Sequence, residues 1–297
     1  MDTVENLAVD AATMAPPSTR ASGLWQLPWG SILIIAAMIF VAVFAPLLTP
    51  HSPIEQSLPD RLLPPAWQEG GTPKYPLGTD MFGRDLLTRL FYGARVSLVV
   101  SAAALLAGGG VGLVIGLLSG YVGGRLDSVL MRAVDATLAF PTILFALLLA
   151  VTMGQGLRTL VIAVSLILWA RFARVVRGEV LAIKARDFIA LAQVRGCSHI
   201  RIMLIHILPN VLNTFMVLLT LHMGFVIIVE ASLSFLGAGI PPPTPSWGQM
   251  VAEGRGRLAS AWWVSTFPGV AITLVVLAFN LFGDWLRDRL DPKLRQL

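Results

Sequence analysis

The sequence predicts an all-α membrane protein: six transmembrane helices, with a helix-turn-helix loop on the cytoplasmic side. Three observations lead there. Apolar residues make up 56% of the chain and charged residues 13%, with a mean hydropathy of +0.75, whereas an average soluble domain carries roughly 25% charged residues. The charges are missing from long stretches rather than thinned evenly. Lipid cannot hydrogen-bond free backbone groups, so those stretches must be helical. This composition excludes a disordered chain and an ordinary cytosolic enzyme. The net charge of +5, from 22 basic and 17 acidic residues, is too sparse for a nucleic-acid partner, which leaves membrane lipid. The single Cys197 cannot form an internal disulfide.

Residues 1–28, centred on Pro16-Pro17-Ser18-Thr19, read as a disordered cytoplasmic tail, and 29–297 as one transmembrane domain. The first span, 31–49, fills the charge-free gap between Arg20 and Glu55. It is not a cleaved leader: Asp2, Glu5 and Asp10 precede it, no basic segment does, and the apolar run is too long. The second span, 97–119, lies between Arg95 and Arg125. Its Gly108, Gly112 and Gly116 recur every fourth residue, which favours close helix approach, within the chain or against a partner. The third, 137–153, follows Asp135. A tight turn at Gly154-Gln155-Gly156 joins it to the fourth, 157–175, which can span with Arg171 and Arg174 at the interface. The fifth, 210–231, runs up to the boundary acid Glu230, and the sixth, 266–285, lies between Arg257 and Asp284. A last gap, 231–252, holds Pro241, Pro242, Pro243 and Pro245 and cannot be a spanning helix.

Placing both termini in the cytoplasm puts most Lys and Arg inside. The loop 171–209 then carries the largest cluster: Arg171, Arg174, Arg177, Lys184, Arg186, Arg195 and Arg201. From Asp187 to Arg195 it holds good helix formers, with Phe188, Leu191 and Arg195 on one stripe. Gly196 breaks that helix, and a second amphipathic stretch runs from Ser198 and stops at Pro209. The segment is either a solvated positive-inside loop or an amphipathic docking knob.

Outside, Asp85 and Arg89 can pair at i,i+4 on a surface-lying helix leading into span two, or the segment touches substrate directly. Inside, Arg132 can reach Asp135. Glu230 is an acid at the hydrocarbon boundary and a functional candidate by default, or a residue bonded to local groups. Trp247, Trp262 and Trp263 fit an interfacial aromatic belt. His222 reads as a hydrogen-bonded packing residue.

The stretch Ala190-Leu191-Ala192, then Gly196, then Ile207-Leu208-Pro209, resembles the "EAA" loop of ABC importer permeases. It departs at Ala190, where the family has Glu, and at Leu191, where it has Ala. Any pairing made by that Glu is absent here or taken over by Asp187. Leu77 to Leu90 with Tyr92-Gly93-Ala94-Arg95, Glu230 to Gly237 with Pro245-Ser246-Trp247-Gly248, and Leu290 to Arg295 are similar to segments of the dipeptide/oligopeptide (and nickel) permease family, the last in its C-type inner-membrane subunit. The resemblance spans the chain from about residue 29.

It implies a type I ABC importer permease fold and a non-catalytic subunit of an ATP-driven, binding-protein-dependent importer in the bacterial inner membrane. The expected partners are a homologous B-type permease, two ATP-binding subunits carrying ATP and Mg, and an extracytoplasmic substrate-binding protein. ATPase coupling is expected through Asp187, Phe188, Ala190, Leu191, Ala192, Arg195, Gly196, Cys197, Leu208 and Pro209. Glu230, Ser232, Ser234, Phe235 and Gly237 are expected at the outer gate. Di- or oligopeptides are the expected cargo; glutathione or nickel complexes occur in the same family. This chain has no phosphate-binding loop and no cluster with metal-ligand spacing, so no cofactor is expected on it. A self-contained secondary transporter or channel is the alternative class. It would need several ionisable residues inside its spans and often an inverted repeat, and the sequence shows neither clearly. A membrane enzyme lacks a catalytic constellation.

Overall fold

The structure is a computed structural model that describes residues 27–290. Most of the expected N-terminal tail and the motif after Leu290 lie outside the described residues. The helices are α1 (Trp29–Leu48), α2 (Leu86–Val122), α3 (Gly124–Ala139), α4 (Thr142–Met153), α5 (Leu157–Lys184), α6 (Asp187–Val194), α7 (Leu208–Phe235), α8 (Trp247–Gly254) and α9 (Trp263–Leu290). Five stretches are long and apolar enough to cross a membrane: α1, α2, α5, α9 and the continuous segment His199–Phe235; the bent pair α3 and α4 makes a sixth if it counts as one span.

The expected unbroken span 137–153 does not form. α3 and α4 meet at 87°. Pro141 is the cause. It has no N–H for the helix ladder, and its ring pushes the preceding residue out of the helical region; Phe140 is accordingly extended, with ψ 133. What remains of the span is α4, about 18 Å long at 1.5 Å per residue.

α2 holds 37 residues, about 55 Å, so it outruns the ~30 Å hydrocarbon core. It starts where the Asp85 carboxylate accepts from the N–H groups of Leu87 and Thr88. It ends at Gly123, whose φ of +72° suits glycine.

α2 and α5 run parallel and make the most extensive helix contact among the described residues. Glycine allows it. A Cβ on Gly112 would lie 2.5 Å from Phe172 Cβ and 2.6 Å from the Trp169 carbonyl oxygen, and one on Gly116 would lie 2.7 Å from that of Ala173. Gly108 and Gly120 extend the same stripe against Ser165 and Val180. The small-residue pattern therefore serves a contact inside the chain. The main core gathers apolar side chains from α2, α4, α5 and α7; a second core joins α1, α2, α8 and α9.

The stretch from Ser198 does not stop at Pro209. A helical turn, His199–Arg201, and a π-helical segment, Ile202–Ile207, lead into α7 with Pro209 in its first turn. Proline is tolerated there because the π-helical turn just before it, in which the Leu208 N–H donates to the Met203 carbonyl, already interrupts the regular ladder where its missing N–H falls.

The expected Arg132–Asp135 pair is not made either. Asp135 pairs across to Arg174 on α5. Arg177 holds Asp127 with two bonds, Nε to Oδ1 at 2.6 Å and Nη2 to Oδ2 at 2.7 Å. α3 is thus fastened to α5 by charge.

Candidate functional site

Two regions at opposite ends of the helical body carry the sequence-predicted site residues. The first is α6 and the turn after it. α6 opens with the exposed Asp187, which suits the positive end of the helix dipole. One face is turned inward: Ile189 and Ala192 are buried against the main core. The opposite face is apolar yet uncovered, with Phe188 40%, Leu191 58% and Val194 86% exposed. Ala190 and Arg195 are exposed beside them. Gly196 closes the helix at φ +74°, and its N–H donates to the Gln193 carbonyl at 2.9 Å. The half-buried Cys197 packs on the core, and its N–H reaches the Ala192 carbonyl at 3.1 Å. Beyond the turn, Ile200, Leu204 and Ile205 continue the uncovered apolar surface. Leu208 is half-buried and Pro209 exposed where the rod of α7 begins.

Tyr121, at the end of α2, supports this turn. Its hydroxyl lies 2.8 Å from His199 Nδ1, and Lys184 Nζ donates to its carbonyl at 2.6 Å.

The second region lies at the far end of α7. Glu230 is fully buried. Its carboxylate accepts from Ser97 of α2 at 3.0 Å and from Ser234 at 2.8 Å. Ser234 is buried with it, whereas Ser232 and Phe235 line an open cavity of about 340 Å³ with Ile228, Leu236, Val251 and Ile272. Gly237 is exposed at φ +80°. Its carbonyl accepts from Gln155 in the α4–α5 turn at 2.6 Å. Of the five gate candidates, Glu230 and Ser234 face into the protein, and Ser232 and Phe235 face the cavity.

Next to these residues stands a cap formed by the loop 50–85, α8 and the first turns of α2 and α9. The expected surface helix with an Asp85–Arg89 pair is not what forms. Thr79, Asp80, Arg84, Asp85, Thr88 and Arg89 are all buried. Asp85 is engaged as the cap of α2 and also lies 3.4 Å from His51. Arg89 instead bonds Asp80 and Glu253, the latter through Nη1 at 2.7 Å. Arg84 joins the same two acids, at 2.6 Å from Asp80 and 3.0 Å from Glu253. Two guanidinium groups and two carboxylates thus pin loop to α8. Burying such charges is tolerable only when each is paired and hydrogen-bonded.

The aromatic-belt expectation fails for two of its three tryptophans, while Trp262 is half-exposed. Trp247 and Trp263 are buried, and their indole N–H groups donate to the carbonyls of Leu90 at 2.9 Å and Thr79 at 3.1 Å. Gly93 allows the close seat of Trp247: a Cβ there would come within 2.6 Å of the indole. On the loop, hydroxyls of Ser57 and then Tyr75 donate to Asp60 and hold its carboxyl below the usual carboxylate range.

Sequence reasoning missed Glu253. The signal for it was the amphipathic run 247–254 after Ser246, whose hydroxyl accepts from the Gln249 N–H, with a single acid on its polar face.

The structure is that of a multi-pass helical membrane protein, with an uncovered apolar helix at one end and a charge-pinned cap at the other. The comparisons give the family. The chain belongs to the binding-protein-dependent transport system inner membrane components, whose family model matches residues 112–296. Residues 27–65 match a second model, the N-terminal transmembrane domain of oligopeptide transport permease C. The di/tripeptide transport system permease protein DppC of Pseudomonas aeruginosa is 40% identical over 266 residues, covering 90% of this chain and 88% of that one. The dipeptide transport system permease protein DppC of Escherichia coli K12 is 43% identical over 265 residues, covering 89% and 88%. Among solved structures, the inward-facing methionine ABC transporter MetNI matches with a TM-score of 0.55 at 17% identity, over 69% of this chain and 96% of that one; this likeness concerns the fold, that of a type I ABC importer permease. Membership of the family implies that the chain works in a complex with other components of such a transporter.

Proposed function

We propose that this chain forms half of the translocation path of an ATP-driven importer of di- or oligopeptides. It would sit in the bacterial inner membrane with both termini cytoplasmic. The other half would be a homologous B-type permease. Two ATPase subunits, holding ATP and Mg, would dock on the loop 187–209, and an extracytoplasmic binding protein would deliver cargo at the capped end. The peptide cargo is carried over from the named functions of the relatives.

One observation carries the coupling reading: the uncovered apolar face Phe188, Leu191 and Val194 on a helix whose other face is anchored in the core. Such a face is stable in water only at a cost of about 25 cal/mol per Å², and a groove on an ATPase would cover it. Docking strength that differs between nucleotide states would tilt the permease between its two openings. The rod from His199 to Phe235 would carry that displacement to Glu230 and the cavity. Gly196 and Cys197 would set the angle of the knob, and Leu208 and Pro209 its junction with the rod.

The test is Leu191→Arg in the complete transporter. Leu191 is exposed, so insertion and stability are expected to stay at wild type. ATP hydrolysis is expected to lose its stimulation by the loaded binding protein, and peptide uptake to fall at least tenfold. Normal uptake by this variant removes the docking assignment.

A further inference from the structure

We propose that Arg171 is a carboxylate-binding subsite inside the translocation path, which takes the C-terminal carboxylate of a passing peptide. The inference rests on the peptide reading above.

α5 carries a ladder of three arginines, Arg171, Arg174 and Arg177. Arg174 is neutralised by Asp135 and Arg177 by Asp127. Arg171 has no carboxylate partner among the described residues. Its neighbours are neutral: Thr142, whose hydroxyl accepts from Nη2 at 3.4 Å, and the Phe225 ring, whose centroid lies 4.3 Å from Cζ. His222 extends the aromatic wall, packed between Phe172 and Phe225, with its Nδ1 2.9 Å from the Leu218 carbonyl. Thr142 is the first residue of α4, which has no side-chain cap. The guanidinium therefore meets a helix end of its own sign rather than a countercharge.

Arg171 lies roughly 21 Å along α5 from Leu157 at 1.5 Å per residue, towards the end of the expected span 157–175, and it is half-buried. An unpaired arginine so close to the hydrocarbon is costly against lipid and, as a rule, faces a bundle interior, a watery path or the interface. The contrast with Arg177 points to a transient ligand rather than a fixed one. Arg177 grips its carboxylate with two short bonds. Arg171 is held in place by a ring face and one hydroxyl, which leaves N–H donors of its fork unused. A planar fork with free donors matches a carboxylate, and neutral supports let the anion leave again. Every linear peptide with a free C-terminus brings such a group.

The experiment uses the complete transporter in vesicles, with this chain as wild type, Arg171→Ala, Arg171→Gln or Arg171→Lys, and labelled dialanine as the probe, or labelled pentaalanine where the wild type accumulates no dialanine. Three quantities are read: dialanine accumulated per ATP hydrolysed, binding-protein-stimulated ATP hydrolysis, and recovery of the partner permease with this chain. Arg171→Ala is expected to lower dialanine per ATP about tenfold, the scale of one hydrogen bond to a charged group, with stimulated hydrolysis and recovery unchanged. Arg171→Lys, which keeps the charge without the fork, is expected to fall between. Arg171→Gln, polar and of similar reach, is expected to match alanine and serves if the alanine variant does not fold. Wild-type dialanine per ATP in both neutral variants overturns the proposal. Loss of the partner permease from the preparation also overturns it, since Arg171 would then pair with that subunit. A wild-type transporter that accumulates neither labelled dialanine nor labelled pentaalanine overturns the peptide reading itself; one that accumulates either, with unaffected variants, overturns the Arg171 subsite alone.

Discussion

Replace Gly112 with alanine and, separately, Gly110. Both lie in α2, two residues apart, and both changes add one methyl group. At Gly112 the new Cβ would sit 2.5 Å from Phe172 Cβ and 2.6 Å from the Trp169 carbonyl oxygen. Carbon contacts are comfortable at ~3.5–4.0 Å, so α2 and α5 must part by about 1 Å. Overpacking of this kind costs about 1–3 kcal/mol. At Gly110 nothing lies within 4 Å, and alanine improves on glycine in a helix by up to ~1 kcal/mol. The propensity gain is common to both variants, so they should differ by the overpacking cost alone, about 1–3 kcal/mol, or roughly 0.7 to 2 powers of ten in the folded-to-unfolded ratio at ~1.4 kcal/mol per tenfold. The assay is thermal unfolding of the purified transporter in one detergent at one concentration. Gly112→Ala is expected to melt below wild type and Gly110→Ala at or above it. Equal melting of the two would show that the α2–α5 contact is not set by glycine and would refute the reasoning.

Two further outcomes follow from other parts of the fold. Deleting Leu204 from the π-helical segment Ile202–Ile207 should convert it to an α-helical turn and rotate α6 by about 100° against α7; peptide uptake is expected to collapse while ATPase activity persists, and unchanged uptake would show that the angle is not transmitted. Arg89→Met leaves Asp80 and Glu253 short of a partner in a buried site; removing one member of such a network costs about 3–5 kcal/mol, read as a loss of full-length protein and earlier proteolysis of the loop 50–85, whereas wild-type resistance would mark the network as dispensable.

The spans were legible because each is a gap in charge, a signal that survives without any knowledge of packing. The 137–153 expectation failed on local chemistry that was present in the sequence: Pro141 outweighs the apolar run around it. Pro209 misled in the opposite direction: the helix runs through it, because the π-helical turn before it accommodates the missing N–H. The face of α6 was readable from the spacing of Phe188 and Leu191. The cap was not. Asp85 and Arg89 have helical spacing, yet Asp85 is engaged in starting α2, and Arg89 finds its acid on Glu253, 164 residues away. Pairing at that range is set by tertiary structure and leaves no periodicity. The tryptophans show the same limit: composition places them near an interface but not whether their N–H groups meet water or a carbonyl.

That distance between Arg89 and Glu253 has a consequence for how the protein is made. Ribosomes add ~5–20 residues per second, so Glu253 emerges roughly 8–33 s after Arg89 by that rate. Through this interval the cap cannot close, because Arg84 and Arg89 share only Asp80 and would be buried with excess positive charge. They must wait hydrated at the membrane surface while α3 to α7 are inserted. The last third of the chain then supplies the missing acid together with Trp263. Completion of the cap is thus a late assembly step, and a chain truncated before Glu253 carries all but one of its spans and still lacks the charge that would let its capped end close.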